Sequence, residues 1–304
     1  MSGRCSGVFH WQPKESVRDM VVHHFILTRF NILLWTKDKK GNKVRTREWL
    51  EHRFALFERF CLPSMKSQSC KDFEWIVLFD SYTPEEYRAR IGKYVAECPQ
   101  LRPVYVEPKN GRYFAEIFRS EVLSRLLGRD ESDRVLTTYL DNDDALNVRF
   151  VEDAQKRATM MPVGSFLYYS DGYQLFTDKM YLMRIRHQRN HFVSVVESAN
   201  PETLKTIYGY GSHYFIDRIP GVKIERVMDL PMWCEVVHEK NMGNDAYSLK
   251  ARRVKDAREL LSEDFGLHED VTSGLGLYLF DFVPRFVKRV AKEIRSRIRG
   301  YQFE

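Results

Sequence analysis

The chain is poor in cysteine. Its 304 residues carry five, Cys5, Cys61, Cys70, Cys98 and Cys234, an odd number at scattered positions with no C-x-x-C pair. This argues against a disulfide framework and against a zinc site, and makes a reduced, cytoplasmic setting the simplest expectation. Long hydrophobic runs are missing as well. No stretch reaches the roughly 18 apolar residues of a membrane-spanning helix, and the first twenty residues lack the apolar centre of a signal peptide. There is no internal repeat and no low-complexity segment. Neither sign of charge dominates: 48 Lys and Arg stand against 42 Asp and Glu, a net +6. So small an excess suits an anionic ligand or surface, and nucleic acid is not expected as a partner.

Apolar residues make up 43% of the chain and aromatics 13%, enough for a sizeable core. The most informative stretch is RVLTTYLDNDDAL, from Arg134 to Leu146. Val135 to Leu140 reads as a buried strand. It stops abruptly at Asp141, Asn142, Asp143 and Asp144. Like charges at a strand end are costly unless paired or bound to a cation. In open α/β sheets, ligands sit just beyond the carboxyl ends of strands. A strand that delivers Asp-x-Asp to that edge therefore suits a metal that holds a phosphorylated ligand, although acidic triplets also suit solvated turns and helix starts. An EF-hand beginning at Asp141 fails, because Ala145 and Leu146 fall where an oxygen ligand and a glycine are needed.

In chain order, Val21–Leu27 reads as a first strand, with Thr28, Arg29 and Asn31 at its end. The run 37–45 is a charged loop. Thr46–Cys61 is helical, its stripe of Leu50, Phe54, Phe57 and Cys61 facing a core, and Leu62-Pro63 breaks or restarts it. FEWIVLF (73–79) is a second strand ending on Asp80. Pro84 and Glu85-Glu86 open a helix that runs to about Glu97. Val104–Pro108 is a third strand and Tyr113–Leu127 a helix carrying Arg119. Alternation at this pitch predicts a parallel sheet. Later, Val148–Met161 reads as a helix. Asp171-Gly172 reads as the turn of a hairpin between 165–170 and 173–176. His187, Arg184, Arg186 and Arg189 form a cationic cluster, 209–213 a polar binding loop, and Leu230–His238 a late strand that presents His238.

The ordered series Thr28-Arg29-Phe30-Asn31, RFALFERFCLPSMKSQ, FEWIVLFD, Arg119, YLDNDDAL and Trp233…His238…Asn241 resembles GT-A-type glycosyltransferases. It is most similar to the bacterial family described as "putative rhamnosyltransferases", over about residues 22–245. The resemblance implies a nucleotide-sugar donor (UDP-, GDP- or dTDP-linked) and a glycan or lipid-linked acceptor in surface polysaccharide synthesis. It implies donor contacts at Thr28, Arg29, Asn31, Asp80, Arg119 and Asp144. It also implies a divalent metal, Mn²⁺ or Mg²⁺, on Asp141, Asp143 and His238. A hard cation bridges carboxylates and diphosphate, and carboxylate plus imidazole suits these metals. An inverting transferase further needs a carboxylate base near the acceptor hydroxyl; Asp171 and Glu235 are the candidates, with His213 behind them. A nucleotidyltransferase is the rival enzyme, but 28–34 lacks its glycine-rich loop. A sugar-binding scaffold is the non-catalytic alternative.

The expected architecture is α/β and GT-A-like (Rossmann-like): a mostly parallel central sheet flanked by helices, with a C-terminal helical appendix. Residues 1–20 form a polar lead-in, 21–247 the transferase domain and 248–304 the appendix. In the tail, Phe282, Phe286, Val290 and Ile294, with Val283, Val287 and Ile298, line one helical face. Arg285, Lys288, Arg289, Lys292, Arg295, Arg297 and Arg299 crowd the rest. Such a helix either lies on an anionic inner-membrane surface or packs on the domain with a solvated basic side.

Overall fold

The computed structural model describes residues 21–34, 46–238, 251–272 and 274–300. The polar lead-in, the charged loop at 37–45, Cys5 and Asn241 lie outside the described residues, as do the side chains of Lys292, Arg297, Ile298 and Arg299.

Four apolar runs become adjacent parallel strands. They are β1 (Val22–Arg29), β2 (Glu74–Asp80), β3 (Leu101–Val106) and β4 (Arg134–Tyr139). Beyond β4 come three further strands of the same sheet: β6 (Ser165–Tyr169), β9 (Val193–Ser198) and β10 (Lys223–Val227). The seven strands run in the order β10-β6-β9-β4-β1-β2-β3, and only β9 is antiparallel to its neighbours. The central strands β1, β2 and β4 are buried along most of their length, which is why they read as continuous apolar runs. Helices α3 (Glu85–Glu97), α4 (Phe114–Arg125) and α5 (Phe150–Ala158) cover the sheet. This is the mostly parallel α/β architecture expected of a GT-A-like chain.

A second sheet follows from the late strands. Its members are β5 (Ala145–Leu146), β7 (Asp171–Phe176), β8 (Tyr181–Arg186), β11 (Trp233–Val237) and β12 (Arg252–Arg253), in the order β12-β8-β7-β11-β5. Here the hairpin expectation is corrected. Asp171 and Gly172 are not a turn: they begin β7, and the chain changes sheets at Ser170. The hairpin is β7–β8 instead, closed at 177–180. Gly172 is required by close approach, since a Cβ there would lie 2.2 Å from the Trp233 ring.

At Leu62-Pro63 the first long helix restarts, one of the two courses expected there, after a π turn that was not foreseen. α1 (Arg47–Leu56) widens into a π turn over Phe57–Cys61 and continues as α2 (Leu62–Lys66). The Leu62 amide reaches back five residues to the Phe57 carbonyl. A wider turn accommodates a proline that can neither donate nor tolerate a tight preceding carbonyl. The predicted stripe of Leu50, Phe54, Phe57 and Cys61 is buried.

The core extends past residue 247. α6 (Ala257–Phe265) buries Ala257, Leu261 and Phe265 against Leu56, Phe60, Tyr173 and Leu182. α7 (Leu275–Leu277) passes through a second π turn into α8 (Val283–Gly300). Phe282 is fully buried and Asp281 receives Lys179, Tyr181 and Arg285, which anchors the start of α8. Further along, Val287, Val290 and Ile294 are exposed. Among the described residues, no helix is long and apolar enough to cross a membrane.

Candidate active site

The acidic turn joins the two sheets. β4 ends beside β1, with Tyr139 paired to Leu27, and the chain then turns into β5 of the second sheet. Asn142 fastens the corner. Its Nδ2 donates to the carbonyls of Arg29 (2.8 Å) and Phe30 (2.9 Å), and its Oδ1 accepts from Arg53 at 3.0 Å. The Asp144 amide points to the Asp141 carbonyl at 3.4 Å, so residues 141–144 form a tight turn. In an extended strand, alternate residues share a face and Asp141 would face with Asp143. The turn breaks that pattern and brings Asp141 and Asp144 together.

Two carboxylate–imidazole pairs result. Asp143 Oδ2 is 2.9 Å from His238 Nε2 and 3.3 Å from an Arg53 nitrogen. Burial alone would raise this carboxyl, but His238 and Arg53 hold it below the usual range. Asp144 is 1% exposed and lies 2.7 Å from His191 Nε2 through Oδ2, while its Oδ1 accepts the Val236 amide at 2.8 Å. Burial opposes charge on His191, yet the hydrogen bond and charge of Asp144 raise it to about 9. Burial, with Asp143 and Glu235 nearby, pushes Asp144 upward in turn.

One ligand atom each from Asp141, Asp144 and His191 lie within 4.8 Å of one another. Two carboxylates and an imidazole are a donor set that fits a hard or borderline divalent cation. Asp141 is the most open of the three and accepts the Tyr139 hydroxyl at 3.0 Å. Arg29 stands 3.8 Å from it, enclosed by the rings of Phe114, Tyr139 and Tyr208 and kept protonated, despite burial, by the Tyr139 and Tyr208 hydroxyls and Asp141.

Beside the turn, at the ends of β1 and β2, Asn31 donates to Thr83 Oγ1 at 3.0 Å and accepts the Asp80 amide at 2.9 Å. Asp80 in turn accepts the Tyr82 amide at 2.8 Å. Asn31, Thr46, Trp49, Tyr82, Thr83 and Tyr87 help line a cavity of about 220 Å³.

The remaining predicted residues are placed differently. The Thr28 hydroxyl is buried and accepts Trp75 Nε1 at 2.9 Å. Arg119 donates to the carbonyls of Leu204 (2.7 Å) and Pro201, bracing that turn rather than joining the acidic cluster. Asp171 is buried against Arg186 at the opposite end of the second sheet. It accepts, through its carbonyl, the amide of Met232. His238 lies six residues on, about 20 Å at about 3.3 Å per strand residue. Glu235 is buried, accepts Gln174 Nε2 at 2.8 Å and acts on both Asp144 and His191. His213 is half-buried near His191, and desolvation, with the charge of His191, lowers it to about 3.

His191 and Arg53 were not anticipated. For His191 a signal exists in the strand pairing. β9 runs antiparallel to β4 with Thr138 opposite Ser194, and three more steps set position 191 opposite 141. That pairing is long-range and invisible in local periodicity.

The acidic turn lies at the carboxyl ends of the parallel strands, where open α/β sheets bind their ligands. The chain belongs to the family described as "Putative rhamnosyl transferase", whose model matches residues 24–249. No curated protein matches it. Among solved structures it is similar to S. aureus TarS, at 12% identity and TM-score 0.34, covering 72% of this chain and 37% of that one. It is similar also to S. aureus TarS 1-349 in complex with UDP, at 12% identity and TM-score 0.37, covering 71% of this chain and 60% of that one. A third is a putative nucleotide-diphospho-sugar transferase from Desulfovibrio desulfuricans G20, at 8% identity and TM-score 0.35, covering 72% and 82%. The chain thus spans between about a third and three-fifths of the TarS structures it matches.

Proposed function

We propose that this chain is a divalent-cation-dependent glycosyltransferase. It moves a sugar, rhamnose by the family's label, from a nucleotide-sugar to a glycan or lipid-linked acceptor of a surface polysaccharide or glycolipid. The convergence of Asp141, Asp144 and His191 beside the cavity lined by Asn31 and Thr83 carries this reading. The cation, Mn²⁺ or Mg²⁺, supplies the positive charge that a diphosphate needs next to carboxylates.

The chain's own groups divide the remaining work. Asp141, Asp144 and His191 hold the cation, and Asp143 with His238 and Arg53 keeps the turn in shape. Asn31, Asp80 and Thr83 meet the nucleoside. Arg29, held rigid among three rings, adds charge on the diphosphate side, where a preorganised cation costs no reorganisation during reaction. Of the two candidate bases we assign Glu235 to take the acceptor proton, because Asp171 is committed to Arg186 at the far end of the sheet. The exposed apolar stripe of α8, flanked by Lys288 and Arg295, rests on an anionic membrane surface and sets the enzyme on the cytoplasmic side.

A thermal-shift panel of UDP-, GDP- and dTDP-sugars with and without Mn²⁺ tests the reading. One nucleotide class should raise the melting temperature only with the metal. No shift with any of them contradicts it.

A further inference from the structure

The second sheet carries a cluster of cations that the acidic turn does not use. Arg252 on β12 lies directly opposite Arg184 on β8, and Arg186 lies opposite Asp171 on β7. Residues 184 and 186 share a face by the two-residue strand period. Together with Asp229 and Ile185 these residues line a cavity of about 240 Å³.

The charges in this cavity do not cancel. Arg186 takes both carboxylates: its Nε is 3.1 Å from Asp171 and its Nη2 is 2.6 Å from Asp229. Asp171 also accepts the Asp229 amide at 2.7 Å. The carboxylate nearest Arg184 is 4.0 Å away, and Arg252 has no ion pair among the described residues. Like charges directly opposite on neighbouring strands destabilise a sheet. Two guanidinium forks on one wall of a cavity instead match the oxygens of a tetrahedral oxyanion.

We propose that this cavity is a phosphate-binding subsite, in which Arg184 and Arg252 are the ligating groups and the Asp171–Arg186 pair is the fixed wall behind them. It is separate from the cation site, at the other end of β7 and β11. It does not depend on the sugar-transfer reading. Its ligand is a phosphate group, either on a small soluble molecule or on a lipid headgroup.

The test uses the full chain with a chelator present, so that phosphate is not drawn to the acidic turn. Inorganic phosphate is titrated by calorimetry and thermal shift. Vesicles containing phosphatidate, against neutral phosphatidylcholine vesicles, form the second arm. Saturable phosphate binding is expected. The double variant Arg184→Gln, Arg252→Gln should weaken it by about tenfold or more, as expected for lost charge-assisted hydrogen bonds. Arg129→Gln, an exposed site elsewhere, should leave it unchanged. Without phosphate the double variant should melt no lower than the parent, because a repulsion has been removed, and this shows that it is folded. Silence with inorganic phosphate but capture by phosphatidate vesicles, weakened in the double variant, supports the subsite with a lipid-held phosphate. Equal responses of parent and double variant in both arms, or no response in either, overturn the proposal.

Discussion

His191 Nε2 lies 2.7 Å from Asp144 Oδ2 in a pocket where His191 is 8% and Asp144 1% exposed. His191 retains its proton against the effect of burial because Asp144 accepts it in a hydrogen bond and Asp144, Asp141 and Glu235 supply negative charge. A cation that takes the place of that proton gains the same electrostatic advantage.

This relationship gives a pH dependence with a definite sign. His191 is raised from its unfolded value of 6.5 to about 9. A raised folded value contributes stability that is complete below pH 6.5 and is lost as the pH climbs through about 9. The upward shift of Asp144 acts in the same direction. Metal-free protein should therefore melt at progressively lower temperature from pH 6.5 to 9. Mn²⁺ affinity should rise over the same window, because binding releases the proton. Melting curves at several pH values, with chelator or with Mn²⁺, check both trends.

Gly172→Ala should destabilise the fold by about 1–3 kcal/mol, the usual cost of forcing a carbon into a packed core. The added Cβ meets Trp233, which stacks on Phe192 at 4.9 Å between centroids, next to His191. Denaturant unfolding measures the loss, and donor binding should weaken with it.

The α8 stripe can be tested without shortening the chain, which would remove the buried Phe282. Val287→Glu with Ile294→Glu places acids at positions 58% and 53% exposed, so melting temperature should barely change. Flotation with anionic vesicles should fall sharply, and added salt should weaken the parent's binding. Equal flotation of parent and variant removes the membrane role.

Much of this was readable in the sequence, because β1, β2 and β4 are buried on both faces and end on polar residues. The α1 stripe was equally plain, being a property of one helix. What escaped depends on contacts between distant segments. Asp171-Gly172 has the composition of a turn, yet the glycine is there for Trp233 and the aspartate for Arg186. The ligand set we propose takes Asp144 and His191 where the sequence suggested Asp143 and His238, because a turn, not an extended strand, carries the acids. No local pattern distinguishes those two backbones.

Asp141→Asn should be the cleanest functional lesion. Asp141 is partly exposed and its side chain is not in the core, so stability should change by no more than about 0.5 kcal/mol. Sugar transfer should fall on the order of 100- to 1,000-fold, the scale seen when one electrostatic group is removed from an active site.

The most direct measurement is a Mn²⁺ titration, read from the free-ion electron paramagnetic resonance signal, of the parent, Asp141→Asn, His191→Gln and Asp143→Asn. Asp141→Asn and His191→Gln should each abolish tight Mn²⁺ binding in the presence of donor nucleotide, while folded Asp143→Asn should retain most of it. Undiminished binding in Asp141→Asn and His191→Gln contradicts a cation held by Asp141, Asp144 and His191.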